Sequence, residues 1–259
     1  MLNKNRKKSG LVCRLIWMEF LMIIRTERSR RLILLFLLAQ VGLVLIGIGN
    51  NNIEIKYSAI AEISIIANFL VLQGLFGVSY GQYNFAWDAP HFSLFFTQNL
   101  SLRIYLTSKM LTLMLVTFAP CLFIIPWFID SPILMKYICC LAYNCGTIPL
   151  FVIFIALFNY KRINIHSKNL FSNYEGMGKI QHALGFLIYL LPISLIIIGL
   201  IVSSFQWIYY LLLIIGLLNI SLLPFWNKKF AVMFQKKKYI FLTYFNVNYD
   251  TTLESSEAV

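Results

Sequence analysis

Six apolar runs dictate what this chain can fold into: Leu32–Gly49, Ser58–Tyr80, Met110–Phe128, Ile133–Phe158, Gln181–Ser203 and Phe205–Pro224. Each is long enough to cross about 30 Å of hydrocarbon as a helix. The remaining composition leaves no soluble alternative. Hydrophobic residues make up 59% of 259 positions and charged residues only 12%, against roughly a quarter charged in soluble domains. So much apolar surface exceeds what one core can hide, so lipid is the expected solvent. The fold class is all-α, a polytopic membrane protein with six transmembrane helices.

Basic residues set the orientation. With both termini inside, the cytoplasmic segments collect twenty of the 22 Lys/Arg: nine in the N-terminal arm, Arg103 and Lys109, four from Lys161 to Lys179, and five from Lys228 to Lys238. The outer segments hold Lys56 and Lys136. A cytoplasmic excess of this size requires an even number of crossings. The outer turns are short, so almost nothing is expected to fold outside.

The domain plan has three parts. Residues 1–31 are a basic cytoplasmic arm, 32–226 the six-span domain, and 227–259 a cytoplasmic tail, polar after Asn246 and expected to be unstructured beyond Asp250. Within the arm, Leu11–Ile24 is apolar but interrupted by Arg14 and Glu19. It reads as an interfacial helix with Trp17 and Phe20 dipping inward and its arginines at phosphate level, rather than as a first crossing. Prolines 120, 126, 149 and 192 interrupt the spans and need covering by neighbouring helices. Gln73, with Gly74 and Gly77, suits either close helix contact or the lining of a pathway. Glu62, embedded near the outer end of the second run, either lines a pathway as well or snorkels to the surface.

The polar interruption from Tyr80 to Lys109 carries the main functional signal. Asp88 is expected to cap a short helix and Pro90 to sit in its first turn. Phe92, Phe95 and Phe96 then fall at helical spacing on one aromatic face. Ser101 is expected to cap the next helix. A short aromatic helix between two crossings presents anchors to a partner.

Catalytic chemistry finds little support. Asp88 and His91 lack any companion that completes a metal or acid/base site, and a capping Asp with a surface His accounts for both. The five cysteines show no C-x-x-C spacing and suit apolar filling. No phosphate-cradling glycine loop or Ser/His/Asp arrangement occurs, so the chain is not expected to be an enzyme or to bind a metal or cofactor. The Lys236–Lys238 run reads as a topology and anionic-lipid signal, not a nucleic-acid site.

Two segments carry a resemblance. The first comprises Gly81-Gln82, Phe85, Trp87-Asp88, Phe92, Asn99-Leu-Ser101 and Tyr105–Lys109. The second comprises Lys161-Arg-Ile-Asn-Ile and Leu170–Gly178. Both resemble a bacterial family of membrane proteins of unknown function related to the permeases of type-2 ABC exporters. That resemblance implies an N-terminal elbow helix, six spans and a cytoplasmic coupling helix between spans two and three.

The resemblance further implies that Trp87, Asp88, His91, Phe92, Phe95 and Phe96 dock into a separate ATP-hydrolysing subunit, in the manner of a helix in a groove. Phe171, Tyr174, Glu175 and Gly176 would make a second cytoplasmic contact. ATP would be bound by the partner, not by this chain. A pair of permease chains, alike or different, in a bacterial inner membrane would move an unidentified substrate outward. The competing expectation is a non-transporting anchor or assembly factor that holds a cytoplasmic partner.

Overall fold

The computed structural model describes residues 2–52, 59–89, 92, 101–129, 131–160, 190, 192–199 and 206–254. Among them the chain is helical, with no strand. The elements are α1 (Leu2–Arg25), α2 (Glu27–Asn52), α3 (Ala59–Gly81), α4 (Leu102–Leu122), a 3-10 turn at Ile125–Phe128, α5 (Ile133–Ala156), α6 (Gln206–Ser221) and α7 (Leu223–Glu254). Three stretches are long and apolar enough to cross a membrane: Ile63–Gly81, Leu102–Leu122 and Ile133–Ala156. The pair Gln206–Ser221 and Leu223–Phe245, bent by 61°, makes a fourth if it is one span. The first expected run lies within α2, and most of the fifth lies outside the described residues.

Helix ends follow local chemistry. The third run was expected to reach Phe128, but α4 stops at Leu122, two residues past Pro120, and the chain turns through a 3-10 helix containing Pro126. Each proline removes a backbone donor, which ends the ladder. At its other end α4 begins at Leu102 and so takes in Arg103 and Lys109. Ser101 occupies the N-cap position with extended backbone, yet its side chain makes no capping bond. At the far terminus α7 runs helical through Glu254, past Asp250 where an unstructured tail was expected. Propagating an existing helix costs far less than starting one.

α5 sits at the centre of the described bundle, and most of its residues from Tyr137 to Ala156 are buried. It meets α6 where Gly146 and Gly216 face each other. A Cβ added to Gly146 would lie 2.2 Å from the Gly216 carbonyl oxygen. Polar side chains tie the apolar helices together at depth. Gln40 of α2 donates to the Leu72 carbonyl at 3.0 Å, and Asn219 of α6 donates to Thr147 at 3.1 Å. Interhelical bonds of this kind hold membrane bundles together where hydrophobic burial gives little drive.

α7 packs a phenylalanine stripe inward, with Phe230, Phe234, Phe241 and Phe245 all buried. Its Lys237 also makes contacts within the chain. The ammonium lies 3.5 Å from the Phe158 ring centre and donates to the Leu157 carbonyl at 3.2 Å, just past the end of α5. A cation at a helix C-terminus complements the dipole, and the ring face adds to the attraction. Lys237→Gln is expected to lower thermal stability by about 1 kcal/mol, and Lys236→Gln, on the exposed side, to leave it unchanged. Equal melting shifts in detergent for both variants would remove the capping role.

Candidate functional site

Three charged residues far apart in sequence meet beneath the segment that joins α3 to α4. α1 contributes Glu19, one turn before the buried Ile23 on the same face. α4 contributes Lys109, on a face that also buries Tyr105, Ser108 and Thr112. The joining segment contributes Asp88. From Gln82 to Asp88 it runs as consecutive turns rather than as a helix.

Lys109 is completely buried, and its ammonium spends its three donors inside the chain. It lies 2.7 Å from Asp88 Oδ2, pairs directly with Glu19 Oε1, and donates to the Asn84 carbonyl at 3.3 Å. The Tyr105 hydroxyl donates to the same Asp88 oxygen. The Tyr105 ring stands 5.5 Å from the ammonium. An ammonium taken out of water is tolerated only when its N–H groups are used in this way.

Glu19 is less well served. Its Oε2 is buried without a hydrogen-bond partner. Burial pushes its carboxyl from 4.5 up to about 7, and the neighbouring Asp88 charge adds to the rise. Lys109, and the Tyr80 hydroxyl beside it, pull the other way.

Aromatic stacking fixes the segment above this cluster. Phe76, Tyr80 and Trp87 form a column with centroid spacings of 5.5 Å and 5.3 Å. The Trp87 indole N–H donates to the Tyr80 carbonyl at 3.2 Å, an acceptor it shares with the Tyr83 backbone N–H at 3.3 Å. Phe85 and Phe92 insert into the α7 stripe. Phe92 lies 5.1 Å from Phe245 and 5.8 Å from Phe241, and Phe85 lies 4.9 Å from Phe234. Asn227 of α7 reaches across to α4, donating to the Arg103 carbonyl at 3.0 Å and to the Thr107 hydroxyl.

This packing turns three of the six residues of the expected docking face inward. Trp87, Asp88 and Phe92 are 1%, 5% and 2% exposed, so none is presented to a partner. The physical reason is that internal partners satisfy them first: the Tyr80 column takes Trp87, Lys109 takes Asp88, and the α7 phenylalanines take Phe92. Asp88, expected to cap a helix, gives its Oδ2 to an ion pair.

His91, Phe95, Phe96, Phe171, Tyr174, Glu175 and Gly176 lie outside the described residues. Glu62 is described only in its backbone, within α3. Gln73, weighed as either close helix contact or a pathway lining, is fully buried among the described residues. Its amide donates to the Tyr137 carbonyl and accepts from Asn144, so it holds α3 to α5.

Sequence reasoning missed the partnership of Glu19 with Lys109. The available signal was an acidic residue lodged between Met18 and Phe20 in an otherwise apolar stretch, and a lysine directly before Met110.

Among the described residues the protein is all-helical, with three to four candidate membrane spans. The chain belongs to a family of unknown function, DUF5687, whose model matches residues 5–248. No curated protein and no solved structure matches it.

Proposed function

We propose that this chain is the membrane subunit of an ABC-type exporter, paired with another permease chain and driven by a separate ATP-hydrolysing subunit. Six crossings, cytoplasmic termini, a bacterial inner membrane and α1 as the elbow helix belong to the same proposal. The observation that supports it most is mechanical. The Lys109 cluster, the aromatic column and the α7 phenylalanines around Phe85 and Phe92 join α1, the segment after α3, α4 and α7 into one keyed unit. Such a unit can transmit a push at the cytoplasmic end to α4 without losing it in a flexible joint. A motor shifts a membrane equilibrium only by interacting differently with its two states, and a rigid input is what that requires.

With Trp87 and Phe92 buried, the docking role falls to Phe95 and Phe96. The test is affinity capture of the tagged full chain with a P-loop ATPase, scored by ATP-dependent substrate movement in vesicles. Phe95→Asp with Phe96→Asp is expected to abolish capture, whereas capture that survives the double change overturns the docking assignment. The alternative is a non-transporting anchor that holds a cytoplasmic partner through the same aromatic face, and the burial of Trp87 and Phe92 narrows that face equally for both readings. The anchor reading predicts capture of a cytoplasmic partner without any ATP-dependent movement.

A further inference from the structure

The cluster around Lys109 is one positive charge short. Glu19 and Asp88 share a single ammonium, with side-chain exposures of 9% and 6% beside a lysine at 0%. Lys109 has no donor left over, because Glu19, Asp88 and the Asn84 carbonyl use all three. Asp88 has a second donor in the Tyr105 hydroxyl. Glu19 has only a weak counterpart: its Oε2 is buried with no hydrogen bond of good geometry, and the buried Tyr80 hydroxyl beside it lowers its carboxyl less than burial raises it. A surplus negative charge and an orphaned carboxylate oxygen at one atom are both removed by a proton. Bound on Oε2, it cancels the surplus and turns a stranded acceptor into a donor, with the Tyr80 oxygen at hand.

We propose that the Glu19–Asp88–Lys109 cluster is a binding site for one proton, carried on Glu19, and that this proton is bound when α1 is docked on α4. The groups that face Glu19 among the described residues are Lys109 from α4, Asp88 from the joining segment and Tyr80 from α3. Tyr105 reaches the cluster through Asp88. The sign of the pH effect follows from linkage. The docked carboxyl titrates near 7 and an undocked, solvated one near 4.5. Between these values the docked form holds a proton that the undocked form lacks. Docking is therefore strongest in acid, weakens as pH rises through this window, and is constant above it. The site stands whether or not an ATPase partner is found.

The test uses the full chain in phospholipid nanodiscs, followed by infrared difference spectroscopy from about pH 5.5 to about pH 8.5, a range that brackets the expected titration. A protonated-carboxyl band is expected to disappear with a midpoint near neutrality, and to be missing in Glu19→Gln. In Asp88→Asn, where Lys109 serves Glu19 alone, the midpoint is expected to fall by about one unit or more. A band that persists in Glu19→Gln, or a midpoint unmoved by Asp88→Asn, overturns the proposal. Hydrogen exchange of α1 in the unaltered protein gives a readout that needs no variant. Its protection, corrected for intrinsic rates, is expected to fall toward alkaline pH, and a pH-independent profile also overturns the proposal.

Discussion

Lys109→Met is expected to destabilise the folded chain by about 3–5 kcal/mol, the usual cost of leaving buried charges without their partner. The lysine side chain is fully buried, and both carboxylates it serves are nearly so. Methionine fills similar volume, so the loss is electrostatic rather than steric. The change is expected to act first on α1, because the Glu19–Lys109 pair is its buried polar link to α4. Faster proteolysis within residues 10–25 and a lower melting temperature in detergent would register it. The triple variant Glu19→Gln, Asp88→Asn, Lys109→Met, which removes every charge at once, is expected to recover most of the loss. A Lys109→Met protein as stable as the parent would show that the ammonium does not hold these elements together.

Composition and run length made the helical class legible, and the second, fourth and sixth runs coincide with α3, α5 and α6 to within a few residues, whereas the third, Met110–Phe128, is displaced at both ends from α4 at Leu102–Leu122. What the sequence could not display was which polar residues meet. Glu19 read as one charge in a basic arm, Lys109 as one count toward topology, and Asp88 as a cap. Each reading is local, whereas the cluster is a tertiary event joining positions 19, 88 and 109.

The aromatic signal was ambiguous at Phe92 for a related reason. Helical spacing at Phe92, Phe95 and Phe96 describes a face, but does not say whether that face meets a partner or the chain's own α7, where Phe234, Phe241 and Phe245 repeat at compatible spacing. Gln73 was ambiguous on the same terms, since interhelical glue and pathway lining call for the same residue type. In a chain with so few charges, a carboxylate inside an apolar stretch is better read as half of a pair awaiting its cation.

A second large effect is expected at the α5–α6 crossing. Gly216→Leu and Gly146→Leu are each expected to cost at least the ~3 kcal/mol upper range for overpacking, with loss of monodisperse protein in detergent. The reason lies in what the new side chain meets. A Cβ on Gly216 would stand 2.3 Å from the Ala142 carbonyl oxygen, and one on Gly146 2.2 Å from the Gly216 oxygen. Both obstacles are backbone, which cannot rotate aside as a side chain does, so the two helices must part. Parting them also stretches the Asn219–Thr147 hydrogen bond on the same faces. Close approach through small residues is how membrane helices gain contact when lipid is as apolar as leucine.

Even alanine is expected to be costly at Gly216, although elsewhere in a helix it gains roughly 0.5–1 kcal/mol over glycine. Gly42, whose added Cβ meets nothing within 4 Å, is the internal control. Gly42→Ala should melt at or above the parent temperature and Gly216→Ala well below it. Matching curves for the two alanine variants would mean that α5 and α6 do not cross at these glycines.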